Sequence, residues 1–552
     1  MKLKAILIFC LALLPCISAL PCTNLLISKG ASKDGSVMVT YAADSHTRYG
    51  TLVYMPRGSH KPGEMIQIRE WGKERLLGEI PQVPYTYNVI GNMNENQVVI
   101  GESTWGGLNE MRDTQAILDY GSLIYLSLQR AKTAREAIEI FTSLADKYGY
   151  ASSGESISIG DPNEVWFLDI IGKKPRMENG VNVNKGVVWV AVRIPNGYIS
   201  AHANCARIAT FPLNDPQNCI YAKDVISHAR EIGIYDGSDS DFSFADTYGP
   251  LDFSAMRGCE ARVWSFFNKH GAEDMSKYLD FASGENPKNR MPLYVKAKSK
   301  LSVKNVADMM RDHFEGTPFD MTQDVGAGGN ALPYRWRPMS FKVDSVTVTN
   351  ERAICTQQTG FWFVGQCRGW LPNTVGGVFW FAVDDAGTSP LTPVYTCSNA
   401  ISNHYALGNG SMVEYSETSM FWLQNRIAQF AYLRYNQIGA EVRAVVDKHE
   451  NEMIEAVAQA DANALKMDNK AIDYLTQFSV NEANALFDKW KQLDKYLLVK
   501  YIDGNTKKQE ADGAFTTNGH SNRVPVTPNF PGYTEKFKKA IKEDTGNRLL
   551  VK

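Results

Sequence analysis

Past residue 21 the apolar positions fall in short runs, at 23–28, 36–41, 51–54, 85–90 and 97–101, divided by Gly, Asn and Asp. Runs of this length with turn residues between them predict strands. Two helices are expected next. The second, over 133–148, sets Ala137, Phe141, Leu144, Ala145 and Tyr148 on one face. Strands return at 156–159, 165–170, 187–193 and 198–200, and a third block is expected around 353–358 and 377–383. The end of the chain reads as helical. A helix over 418–446 carries Phe421, Leu423, Ile427, Phe430 and Ile438 at helical spacing. Another is expected to start at Ser479, with Glu482 three residues on as a capping box, then Ala483, Leu486, Phe487, Trp490, Leu493 and Leu497. Residues 503–531, rich in Gly, Asn, Thr and Pro, read as a loop or linker. There is no internal repeat and no heptad pattern. Strands, helices, strands and helices in that order predict packed sheets with helical layers outside.

Composition narrows the function. With 552 residues, 44% hydrophobic and 21% charged, the chain can bury large cores and is not a disordered protein. Lys+Arg 58 against Asp+Glu 60 gives −2. Without the first 21 residues, which hold Lys2 and Lys4 and no acid, 56 against 60 gives −4. No basic excess or dense basic stripe exists, so a nucleic-acid partner is not expected.

The first 21 residues resemble an export signal: a positive Met1–Lys4, ten apolar residues over 5–14, then Ser18 and Ala19. The apolar run is too short to span a bilayer, and no later run reaches 18 residues, so no stable membrane span is expected. Lipidation is the alternative, since Cys16 and Cys22 each follow apolar sequence, but Pro15 and Pro21 stand where a lipobox needs a small residue. A cut after Ala19 would leave Leu20-Pro21 ahead of Cys22. The protein is therefore expected to be exported, periplasmic or extracellular. Seven cysteines lie beyond the signal, at 22, 205, 219, 259, 355, 367 and 397. Export permits disulfides and an odd number leaves one thiol over. Cys205/Cys219 and Cys355/Cys367 are close enough in sequence for staples, and could equally be buried free thiols.

Several motifs fail on inspection. Gly30-Ala-Ser-Lys-Asp-Gly35-Ser36 lacks the lysine of a phosphate loop and reads as a turn. No paired histidines at helical zinc spacing, no CxxC and no GxSxG elbow occur. A structural zinc site is not expected, and neither a serine hydrolase nor a metallopeptidase shows its signature.

One constellation survives. If Ser28 pairs near residue 36 or 37 across the turn, opposed residue numbers sum to about 64 or 65. Cys22 then faces Ala42 or Ala43, with Asp44 just beyond. A chain beginning at Cys22 would hold its own α-amine beside the sulfur. That amine, with a reference pKa of about 7.7–8.0, can take the thiol proton without a histidine. The plainer alternative is a small buried residue at a strand start and a turn acid.

These residues, with longer segments in the same order, resemble the dipeptidase A family of N-terminal-nucleophile cysteine hydrolases, relatives of penicillin V acylase and bile-salt hydrolase. The segments are Cys22-Thr-Asn with the KDGS turn, GESISIGDPNEVWFLDIIG (154–172), WVAVRIPNGYISAHANCARI (189–208), MRGCEARVW (256–264), ALPYRWRPM (331–339) and QCRGWLPNTVGGVFW (366–380). The likeness spans residue 22 to about 446. It implies an α+β fold, a four-layer α/β/β/α sandwich with a mostly helical C-terminal region. The corresponding divisions are 1–21 as signal, 22–415 as hydrolase core, 416–502 as helical region, and 503–552 as loop and short terminal helix. It implies amide hydrolysis through a thioester, without metal or organic cofactor, with Cys22 as nucleophile, Asp44 orienting its amine, Asn204 donating to the oxyanion and Arg262 positioning the nucleophile pocket. Dipeptides or short peptides are the implied substrates, and a homo-oligomer is possible. Structural readings remain for Asn204 as a turn cap, Arg262 as a partner of Glu260, and Asp44 as a turn residue. The strand ending at Gly101 should deliver Glu102-Ser103-Thr104 near the site, without an assigned role.

One departure stands out. Where this family usually has an arginine, three places before the aspartate, this chain has Tyr41, which cannot supply a permanent positive charge. Arg48 or another cation would have to replace it. Three functions therefore compete: a secreted cysteine dipeptidase, an N-acyl amide hydrolase using the same nucleophile, and a non-catalytic binding protein that retains the fold.

Overall fold

A computed structural model describes residues 22–551. The expected export signal, 1–21, lies outside the described residues. The expected hairpin forms at once: Asn24–Ile27 runs antiparallel to Val37–Asp44. Leu26 faces Val39, Ile27 faces Met38, and Thr23 bridges to Ala42, so opposed numbers sum to 65. Asp34 closes the turn by accepting the Ser36 amide at 3.0 Å and hydroxyl at 2.7 Å. Gly35 takes φ +83, a left-handed conformation that glycine adopts without steric cost.

The hairpin lies at the middle of a seven-stranded antiparallel sheet. Its order is Tyr294–Lys296, Tyr198–His202, Asn24–Ile27, Val37–Asp44, Thr359–Cys367, Gly377–Val383 and Thr392–Tyr395. A second antiparallel sheet has eight strands, in the order Cys219–Tyr221, Val187–Arg193, Val165–Gly172, Gly154–Gly160, Val99–Gly106, Met93–Asn94, Val89–Ile90 and Tyr54–Met55.

Strand alternation sorts the side chains into separate cores. Leu26, Val37 and Val39 of the first sheet share one core with Val99, Phe167 and Val190 of the second. The alternate residues Leu25, Ile27 and Met38 pack instead with Phe266 of helix Ala261–His270 and Val306 of helix Val303–Met310. On the second sheet Ile100, Ile157 and Leu168 meet helices Tyr120–Leu128 and Ala134–Tyr148. The protein is thus mixed α and β, with large antiparallel sheets and thirteen α-helical segments among the described residues. None of those helices is long and apolar enough to cross a membrane.

Three expectations are corrected, and one question left open by the sequence is answered. The strand expected at 353–358 lies at Thr359–Cys367, and every residue of it is buried. A strand covered on both faces shows no alternation, so its sequence pattern does not fix its limits. Ser479 caps nothing: the helix runs Ala471–Tyr501, and the Ser479 hydroxyl donates to the Leu475 carbonyl at 2.8 Å inside it. The helix expected over 418–446 is Met420–Leu433, then a wider turn at Tyr435–Gly439, then Ala440–Ala464. The break falls at Arg434, whose φ of −149° and ψ of 63° are not helical. Finally, all seven described cysteines are free thiols. Cys355 donates to Asp385 at 3.1 Å and Cys367 to the Gln97 carbonyl at 3.0 Å, so neither forms the staple that sequence proximity allowed.

Asp384, just past strand Gly377–Val383, is 1% exposed. One carboxyl oxygen accepts the Asn425 amide at 3.0 Å and the other takes no hydrogen bond. Burial pushes its pKa up to about 8. A carboxyl raised in the folded state binds its proton more readily there than in the unfolded chain. Its stabilising effect is complete below about pH 4 and is lost as pH rises through 8. Asp384→Asn, which tolerates the φ of +65 at this position, is expected to raise the unfolding temperature by a few degrees at pH 8 and to change it little at pH 4.5. Thermal melts at the two pH values check this. An equal shift at both would exclude the carboxyl as the cause.

Candidate active site

The hairpin register puts Cys22 opposite Ala43 and beside Asp44 at one end of the central strands. Cys22 is 3% exposed, and its Sγ lies 3.8 Å from both the Tyr41 hydroxyl and Glu102 Oε1. The Tyr41 hydroxyl donates to the same Glu102 oxygen in a short hydrogen bond. Burial raises the thiol pKa well above its usual range, and the charges of Glu102 and Asp44 add to this. Hydrogen bonds from the Asp44 backbone and Tyr41 oppose the rise without cancelling it. In this setting the sulfur is a thiol that needs a proton acceptor to become a nucleophile.

Arg262 ties the site together. It rises from the Met256–Glu260 wide turn into helix Ala261–His270, and its side chain is 1% exposed. Its Nη1 donates to the Cys22 carbonyl at 2.6 Å and to the Thr23 hydroxyl at 2.8 Å. Its Nη2 donates to the Ala203 carbonyl and to Asn204 Oδ1, each at 3.0 Å, and its Nε to the Gly258 carbonyl at 2.9 Å. The planar fork thus joins the Cys22 carbonyl to Asn204, a task that one ammonium group cannot copy. Glu260, the alternative partner, is instead paired with Arg207 at 2.9 Å.

Asn204 follows strand Tyr198–His202 and adopts φ +64, a conformation asparagine tolerates better than most residues. Its amide nitrogen Nδ2 donates to the Thr104 carbonyl at 2.6 Å and its backbone N–H to the Ser103 hydroxyl at 3.1 Å. Asp44 is fully buried, accepts the Thr359 hydroxyl at 2.7 Å and forms an ion pair with Arg352. Burial raises its pKa despite Arg352, Thr359 and Arg262 pulling the other way.

Sequence reading did not find Arg352, Thr359, His202 or Glu155. Arg352 and Asp44 are 308 positions apart, and the segment before Arg352 carries no strand or helix pattern that points at the site. His202 stands between the hydroxyls of Ser103 and Ser158, 2.6 Å from each, and burial holds its pKa well below the ordinary value. It is a neutral support that fixes the strand after Glu102. Arg48 does not take the place of the missing arginine by contact. Its guanidinium lies over the Trp71 ring at 4.2 Å, and it acts on Glu102 only through space.

Peptidase family C69 matches residues 68–448, more than half of the sequence. The chain belongs to this family. Among relatives, a protein named probable dipeptidase from Latilactobacillus sakei is 23% identical over 475 residues, covering 82% of this chain and 90% of that one. A probable dipeptidase from Salmonella dublin is 24% identical over 415 residues, covering 71% and 85%. Dipeptidase A of Lactobacillus helveticus is 21% identical over 444 residues, covering 76% and 83%. The C69 match takes in Glu102, Asn204, Arg262, Arg352 and Thr359 and begins downstream of Cys22 and Asp44.

For a metal, the convergent carboxylates among the described residues are Asp308, Asp447 and Glu450. Lys304 and Arg443 hold Asp447 at 2.7 and 2.8 Å, and Arg311 holds Glu450 at 3.0 Å. The charges there are already balanced, so the group is an ion-pair network of the C69 scaffold.

Proposed function

We propose that this C69 protein is an exported cysteine dipeptidase of the N-terminal-nucleophile kind, built as a four-layer α/β/β/α sandwich. The sheets that share a core, each with helices on its other face, support that architecture. The observation that carries the function is the convergence on Cys22 of Asp44, Asn204 and Arg262 from three distant segments.

The mechanism follows from those positions. The α-amine of a chain beginning at Cys22 takes the thiol proton, and Asp44 steadies the resulting ammonium. The sulfur attacks the peptide carbonyl, and the side-chain amide of Asn204 stabilises the oxyanion. Arg262 keeps the Cys22 backbone and Asn204 in mutual register. The C–N bond breaks as the ammonium returns its proton to the leaving amine. Water then attacks the thioester, the amine accepts its proton, and the sulfur is released as the thiol.

An exopeptidase of this kind must read the charged α-amine of its substrate. The expected result is that free Xaa-Xaa dipeptides are hydrolysed and their N-acetylated forms are not, with kcat/KM falling by about 10²-fold or more. Paired assays check this, and faster cleavage of the acetylated compounds would favour an acylase instead.

A further inference from the structure

Glu102 and Glu155 have no part in the chemistry above, yet they are among the most deeply buried acids in the protein, at 1% and 0% exposure. The strand register explains why they meet. Glu102 faces Ile157 and Thr104 faces Glu155, so the two glutamates are diagonal neighbours on one face of an antiparallel pair. Among the described residues Glu102 Oε2 and Glu155 Oε2 receive no hydrogen bond, and neither glutamate makes an ion pair. Their other oxygens take only neutral donors: Tyr41 and the Cys22 thiol on Glu102, and Thr104 on Glu155 at 2.8 Å. Asn24, fully buried, donates to the Glu102 carbonyl at 2.5 Å and leaves its own Oδ1 without a partner.

Negative charge on this buried pair, with no counter-ion beside it, is costly. Burial raises both pKa values, and the charge of Glu102 adds to the rise at Glu155. Among the described residues no cation touches the pair, and Arg48 acts on Glu102 only through space. A cation arriving from outside would be bound strongly, and the position of the pair says which one. In an approaching substrate the scissile carbonyl carbon stands about 3–3.5 Å from the sulfur. The α-nitrogen of the same residue lies about 2.5 Å from that carbon by covalent geometry. Glu102 Oε1, 3.8 Å from Sγ, is within hydrogen-bond reach of that nitrogen.

We propose that Glu102, backed by Glu155, is the site that binds the α-ammonium of the substrate's first residue, making it the specificity determinant for a free amino terminus. The inference rests on the dipeptidase reading and adds the residues that enforce it. Tyr41 fits the role: it orients Glu102 through a hydrogen bond while adding no charge that would compete with the substrate.

The test compares wild type, Glu102→Gln and Glu155→Gln on a dipeptide and on its des-amino analogue, the same amide with hydrogen in place of the α-amine. Wild type should prefer the dipeptide by about 10²-fold or more in kcat/KM. Glu102→Gln should lose that preference, mostly through a higher KM for the dipeptide, while the analogue changes by less than about threefold. Glu155→Gln should move the same way by a smaller factor. Equal loss on both substrates would overturn the proposal, since Glu102 would then serve the thiol itself; so would an unchanged preference in Glu102→Gln. Either result leaves the dipeptidase reading intact, whereas a wild type that cleaves neither substrate removes both. If Glu102→Gln does not fold, alkylation of Cys22 by iodoacetamide in wild type decides. A β-amino alcohol should protect the thiol and its des-amino counterpart should not, and equal protection overturns the site.

Discussion

Replacing Cys22 with serine or alanine is expected to lower dipeptide hydrolysis by about 10⁴-fold or more, the size of effect seen when a catalytic nucleophile is removed. Cys205→Ser and Cys367→Ser should instead lower stability and leave kcat within a few-fold. The difference is one of surroundings. Cys22 stands at a strand end with its carbonyl fixed by Arg262 and with Asp44 as neighbour. Cys367 is buried within a central strand and spends its proton on the Gln97 carbonyl. Cys205 is buried with its sulfur toward the Ala206 carbonyl at 3.5 Å. The measurement is kcat for each variant beside a thermal melt that establishes folding. Equal loss of activity in three folded variants would count against a unique nucleophile.

What the sequence made legible was local. The hairpin of Cys22 and Asp44 could be registered to within one residue because a short turn and a two-residue period leave few choices. The helix over Ala134–Tyr148 was readable because one face is apolar and the other is not. Legibility failed where burial is complete on both sides, as at Thr359–Cys367, and where partners are far apart in the chain. Asp44 illustrates both. Its place beside Cys22 followed from the hairpin, but its ion pair with Arg352 and its bond to Thr359 depend on the closing of a loop of some three hundred residues. Asn204 and Arg262 were found through their resemblance to a family pattern, and no spacing rule joins them. Their contact at 3.0 Å is a product of the whole fold. Tyr41 posed the converse problem. Read alone it is a lost cation, whereas in the structure it is a hydrogen-bond donor to a glutamate with which no sequence pattern pairs it.

The second large effect concerns the amino terminus. Protein that retains Leu20-Pro21 ahead of Cys22 is expected to hydrolyse dipeptides about 10³-fold more slowly than protein that begins at Cys22. Leu20 and Pro21 lie outside the described residues. A residue joined to Pro21 has an amide nitrogen, which does not accept a proton near neutral pH, whereas a free α-amine with a pKa of about 7.7–8.0 does. The thiol of Cys22 is held above its usual pKa by burial and by two neighbouring acids, so it ionises little without that base. Signal peptidase is expected to cut after Ala19, because Pro21 directly before Cys22 is a poor residue at a cut site. A second step must then remove Leu20-Pro21. The group placed to do it is Cys22 itself, attacking the preceding carbonyl and passing the acyl dipeptide to water. Intact mass of the exported protein measures the outcome. The active form should begin at Cys22, and a Cys22→Ala variant should keep the two extra residues. Full activity in a species that still carries Leu20-Pro21 would rule out the amine as base, and the proton of Cys22 would have to go elsewhere.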